Sequence, residues 1–329
     1  MAITLEEASV GRADKVSQKV IDELRRSSLL LDKLTFDDTV SPGTGGSTMS
    51  YGYLQLQTPS TAAGRAINAE YTANEAKKTK KVAYLKIFGG SAEVDRVIQE
   101  ASGSKEIAFQ IEQKTIATKN HFHYTVINGS STANATDFDG LSKLLTGKST
   151  ECNVGNDATV IDLSTSAAMD SNYKSALDLL DEFLATLDGK PDMLLGNSKL
   201  IAKLKGISRR AGYLTHGEDA FGRKVLGYDD IPFVDLGNYY NGSTTVPCSP
   251  IYTTGTGNDA VTGLTDLYAV KLGLDAFHGI SLSGSSIVNV YLPDLKAPGA
   301  VKKAEVELVG GVVLKNTTKC GVCRNLKIA

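Results

Sequence analysis

The sequence predicts an α+β chain, and three observations carry that prediction. Leu54 and Leu56 alternate with Gln55 and Gln57, and later Ala83, Leu85 and Ile87 alternate with Tyr84 and Lys86, the period of a half-buried antiparallel strand pair. Ser281–Tyr291 and Val301–Lys315 alternate in the same way over longer runs. Between these strand regions the period changes to that of helices, over residues 104–127 and again over Tyr173–Leu187.

In chain order, residues 1–36 come first, with Val16, Val20 and Leu24 at four-residue spacing and Leu31 and Leu34 extending the stripe. Two readings stay open here: an ordinary packed helix, or an arm lying on a neighbouring subunit. The Ser41–Gly46 run then breaks the chain. The two strand arms that follow enclose Thr58–Thr79, a stretch of small and charged residues. So long a connection with no core of its own is uncommon in a compact domain, so support from another subunit is expected. Residues 104–127 are rich in β-branched side chains, including Ile107, Ile111, Ile116, Thr118 and Val126, so packing must hold that helix where propensity does not. Ala176, Leu177, Leu180, Phe183, Leu184 and Leu187 share one helical face, Met193–Leu195 is a short apolar strand, and Ser198–Ile207 is a second helix followed by basic Arg209 and Arg210.

Composition narrows the function. With 35 basic against 37 acidic residues the chain lacks the positive excess of a protein built to grip nucleic acid, so any DNA contact is expected to be weak and non-specific. No apolar run of about 18 residues is present, and no membrane partner is expected. The four cysteines read as free thiols; Cys320 and Cys323 form a lone CxxC with no second ligand pair nearby, so no metal is expected. His121 and His123 stand two apart on the predicted helix, face different directions, and read as structural. Gly255–Gly263 is glycine-rich but lacks the lysine and hydroxyl residue of a phosphate loop and reads as a surface loop, so no cofactor is expected. No Ser, His and Asp set stands out, and no catalytic residue is assigned.

The order of arm and hairpin, the return segment KKVAYLKIFGGSAEVDRVIQE running into a helix, and the C-terminal VKKAEVELVGGVVLKN strand together resemble tailed-phage major capsid proteins of the Hong Kong 97 fold. The resemblance covers nearly the whole chain, but it is one of order and texture, since the family has no invariant signature. It implies an N-terminal arm (1–36), an extended hairpin loop (37–90), a peripheral domain whose first part is 91–165 with a spine helix at about 104–127, an axial α/β domain (166–280) and closing peripheral strands (281–329). Phe221–Gly237 and Thr265–Phe277 look like the axial domain's turn-and-strand unit and its following strand. Pentamers and hexamers of an icosahedral shell around a double-stranded DNA genome are the implied product, located in the virion and assembled in the host cytoplasm.

The implied inter-subunit contacts are Arg65, Glu70, Glu75, Lys77 and Lys78 at the hairpin tip and Val16, Val20 and Leu24 on the arm. The short arm leads to the expectation of a separate scaffolding protein, and a portal is implied as well. Some members crosslink subunits through a loop lysine and an asparagine; Lys77, Lys78, Lys80 and Lys81 supply donors, but no motif assigns the acceptor, and the lysines read as solvated or salt-bridging. An encapsulin-type compartment shell with the same fold is the first alternative, and an α/β enzyme of unknown chemistry the second.

Overall fold

The computed structural model describes residues 28–39, 48–102, 106–153, 160–212, 215–218, 224–255, 260–282 and 288–329. Val16, Val20 and Leu24, the Ser41–Gly46 run and residues 256–259 of the glycine-rich stretch lie outside them. Two sheets and a long helix organise the rest.

The first sheet is built on β17, Val301–Leu314. One edge of β17 pairs antiparallel with β4 (Lys86–Asp95), from Gly310 opposite Lys86 to Val301 opposite Asp95. The other edge carries β15 (Phe277–Leu282) against Gly310–Leu314 and then β16 (Val288–Tyr291) against Glu305–Leu308, so both follow one track. A short strand β1, Phe36–Thr39, joins β15 in parallel. Alternation along β17 turns Ala304, Val306 and Leu308 inward, and β4 adds Phe88 and Val94 to the same side. Across that side runs the helix Glu106–Asn128, 23 residues long, here α3 after the short helices α1 (Leu29–Lys33) and α2 (Arg96–Ala101). Its β-branched residues are accommodated in two ways: Ile107, Ile116 and Val126 are buried, and the Thr115 and Thr125 hydroxyls donate to the carbonyls of Ile111 and His121 one turn back. The loop after α3 folds back on the helix end so closely that a Cβ at Gly129 would sit 2.3 Å from the Phe138 carbonyl oxygen.

The second sheet centres on β14 (Val261–Val270) and β18 (Gly321–Lys327), paired antiparallel. The far edge of β14 takes β7 (Met193–Leu195), which continues into β10 (Ile231–Val234), β9 (Lys224–Tyr228) and β8 (Thr215–Glu218). The far edge of β18 takes β5 (Glu151–Cys152) and β6 (Ile161–Asp162) in parallel. On one face pack α5 (Ser166–Ala185) and α6 (Ser198–Ala211), with Phe183, Leu200 and Ile207 against Leu194, Leu267 and Ala269. On the other face Met193, Leu195, Tyr268 and Val270 join Phe122, Val126 and Ile127 of α3 and Phe277, Leu308 and Leu314 of the first sheet in one core.

Several expectations change. The block 281–329 divides, because β18 hydrogen-bonds in the second sheet while β17 stays in the first. Thr265–Phe277 is not one strand: β14 stops at Val270, the chain turns through Gly273, and Phe277 opens β15 in the other sheet. The helix predicted from Tyr173 begins at Ser166, where the Thr165 hydroxyl caps Ala168 N–H. The return segment is two strands, β3 (Lys77–Tyr84) and β4, broken at buried Leu85, whose N–H donates to Met49 O. The free-standing hairpin is therefore narrower than 37–90: Phe36–Thr39 and Lys86–Asp95 are sheet members, and the hairpin runs from Ser50 to Tyr84.

Candidate inter-subunit surface

The hairpin pairs β2 (Ser50–Thr58) with β3, in register from Ser50 opposite Tyr84 to Thr58 opposite Lys77. Pairing places Tyr51, Tyr53, Gln55, Ala83 and Lys81 on one face and Leu54, Leu56, Val82, Tyr84, Lys78 and Lys80 on the other. The first face docks on the first sheet, where Tyr51, Tyr53 and Ala83 pack with Leu85, Ile280, Leu282, Val309 and Val313. Polar contacts pin it there. Tyr51 donates its hydroxyl to Asp37 Oδ2 at 2.5 Å, and burial together with that carboxylate pushes the phenol up to about 12. Gln55 Nε2 donates to Lys315 O at 3.2 Å, and the Lys315 ammonium lies 5.2 Å from the Tyr51 ring centre.

The second face is the reverse of what alternation suggested. The pattern predicts Leu54 and Leu56 inside and the glutamines outside; instead Leu54 is 66% exposed and Leu56 59%, with Val82 at 44% and Tyr84 at 59%. The period was right and the side was wrong, because the tyrosines at 51 and 53 compete for the docking face and win it with larger area and hydrogen-bonding tips.

From the end of β2 through the connection to the start of β3, every residue from Leu56 to Lys78 is exposed. A turn at Ile67 and Asn68, with Asn68 at φ 67°, closes the loop and leaves Ile67 92% exposed. Arg65 is engaged locally: its guanidinium lies 5.4 Å from the Tyr71 ring centre and donates to Ala69 O at 3.2 Å. Glu70, Glu75, Lys77 and Lys78 form no ion pair among the described residues. Lys77 and Lys78 are not at the tip: they open β3, opposite Thr58 and Leu56.

The residues that could suggest chemistry are used in packing. His123 is buried on α3, with its Nδ1 3.2 Å from Leu236 O and its Nε2 2.7 Å from Ser28 Oγ. Leu236 O can only accept, so Nδ1 carries the proton and Nε2 accepts from Ser28. Burial holds this imidazole down at about 4. His121 stacks on Tyr239 with ring centres 4.9 Å apart. Among the described residues, no group of three or more His, Cys, Asp or Glu side chains is placed to hold a metal. One buried cluster was invisible in the sequence: Arg324 pairs with Glu151 and, at 2.9 Å, with Asp266, whose other oxygen accepts from Tyr252 at 2.5 Å. Its members are far apart in the chain and share no motif, and they fasten β5, β14 and β18 together.

Neither a protein-family model nor a curated protein sequence matches the chain. Solved structures do. The SrpI encapsulin of Synechococcus elongatus PCC 7942, seen in its holo complex, superposes with a TM-score of 0.62 at 14% identity, covering 99% of this chain and 97% of that one. The capsid of Myoviridae phage XM1 gives 0.54 at 13% identity, covering 96% and 97%, and that of cyanophage P-SCSP1u gives 0.52 at 13%, covering 96% and 92%. The chain has the Hong Kong 97 fold.

Proposed function

We propose that the chain is the major capsid protein of a tailed phage, a structural subunit that closes into an icosahedral shell of pentamers and hexamers around double-stranded DNA. The observation that carries this reading is the hairpin: one face is anchored on the subunit by Tyr51, Tyr53 and Gln55, and the other presents Leu54, Leu56, Val82 and Tyr84 to solvent. A strand pair that is fixed at its root and apolar on its open face is suited to cover by a second copy. The end-to-end superposition on phage capsid subunits supports the same reading. Assembly is the activity, with no catalytic step. A net charge of −2 suits a container that touches DNA without holding it at fixed positions. A separate scaffolding protein and a portal complete the partner set, with assembly in the host cytoplasm and residence in the virion.

The second reading, an encapsulin-type compartment, is favoured by the TM-score of 0.62 to the SrpI encapsulin against 0.54 and 0.52 for the two phage capsids. Negative-stain electron microscopy and sedimentation of the expressed protein test the shell; a small oligomer under all assembly conditions would end both readings. Nuclease-protected DNA in particles from the native source supports the virion, and a stoichiometric protein cargo supports the compartment.

A further inference from the structure

The sequence pairs Cys323 with Cys320 through the CxxC spacing, but the fold separates them. Cys320 lies in the core between the two sheets, and Cys323 lies in the cluster beneath α5 and α6, on the opposite face of the second sheet. The neighbour of Cys323 is Cys152. β5 runs parallel to β18 with Cys152 directly opposite Cys323. Adjacent strands stand about 4.8 Å apart, which lies inside the Cα separation of about 4.4–6.8 Å that a disulfide spans.

Access is unequal. Cys323 is buried, whereas Cys152 is half-buried and lines a cleft with Asn153, Ile161, Asp178, Glu182 and Phe183. We propose that Cys152 and Cys323 are a redox pair that a peroxide closes to an intrachain disulfide, with Cys152 as the attacking thiol and Cys323 as the resolving one. The Cys152 sulfur attacks one peroxide oxygen, the O–O bond breaks, and sulfenic acid and water are formed. The Cys323 sulfur then attacks the Cys152 sulfur and a second water leaves. Two thiols are oxidised by two electrons and the peroxide is reduced to two waters. The neighbouring Cys323 thiol lowers the Cys152 thiol despite burial and the carboxylates of Glu151 and Glu182, which agrees with this division of roles. A compartment poised by glutathione keeps the pair reduced, and release into oxidising surroundings closes it. The bond would tie β5 to the final strand and close a loop spanning residues 152–323, constraining the unfolded chain.

The test uses the reduced full-length protein, treated with hydrogen peroxide, alkylated and mapped by mass spectrometry. The expected result is loss of two of the four alkylatable thiols and a peptide linking Cys152 to the 320–324 segment. Lys319 and Arg324 bracket both Cys320 and Cys323, so trypsin releases them together and a Cys320→Ser chain makes the assignment. That chain keeps the link; Cys152→Ser abolishes it; Cys323→Ser leaves a Cys152 sulfenic acid that dimedone captures. The thermal midpoint rises on oxidation and returns with dithiothreitol. Four alkylatable thiols after peroxide, a Cys320–Cys323 bond, or a link between chains would each overturn the assignment. None of these outcomes bears on shell formation.

Discussion

The hairpin Ser50–Tyr84 and the strand β14 are both extended segments with alternating or continuous apolar residues, yet they end in opposite environments. From Gly263 to Val270 every residue of β14 is buried, flanked by β18 on one edge and β13 (Tyr252–Thr254) and β7 on the other, and covered on both faces. The hairpin has cover on one face only. A single chain thus covers its second sheet with its own elements and leaves one face of the hairpin open. Damage to the first region should therefore appear in the isolated subunit, and damage to the second only in assembly.

The largest effect is expected in the covered region. Arg324→Ala leaves Glu151 and Asp266, each with side chains 8% exposed, without their cation. Stranding a buried charge costs about 3–5 kcal/mol, so urea unfolding of the unassembled subunit should show a loss of that order. A loss under about 1 kcal/mol would mean that the second sheet does not depend on its ionic tie.

The next largest is a pH effect at His123, which joins the covered core to Ser28. Its folded value of about 4 lies below the ordinary 6.5, so the unfolded chain binds the proton more readily. Stability from this group is complete above the unfolded value and is lost as pH falls from about 6.5 to about 4. The loss amounts to at most about 3 kcal/mol. Denaturation midpoints at several pH values in that window should slope for the wild type and flatten for His123→Gln; equal slopes would remove His123 as the source.

Smaller subunit effects mark the open face. Leu54→Ser with Leu56→Ser should change unfolding by less than about 0.5 kcal/mol, because both side chains already face solvent, while closed particles become scarce. Unimpaired closure would assign the apolar face no covering partner. The smallest expected effect is Lys77→Glu with Lys78→Glu: exposed pairs are worth about 0–1 kcal/mol each, but a closed lattice engages many together. Circular dichroism should be unchanged and particle yield lowered, more at low salt than at high salt because screening weakens the new repulsion. Equal closure at low ionic strength would place these lysines outside any contact.

The sequence by itself determined the element types: the periods of 54–57 and 83–87, of 176–187 and of Val301–Lys315 are local, and the strands and helices they announce are present. It also determined the long exposed connection, since Thr58–Thr79 offers nothing apolar enough to build a core. What only the tertiary structure decided is partnership. Which face of β2 docks depended on Asp37, Lys315 and Ile280, far away in the chain. Which sheet receives β18, which thiol lies beside Cys323, and which acids hold Arg324 were decided in the same way. Side-chain period is a property of neighbours along the backbone, whereas burial and pairing are properties of neighbours in space, and no local pattern encodes the latter.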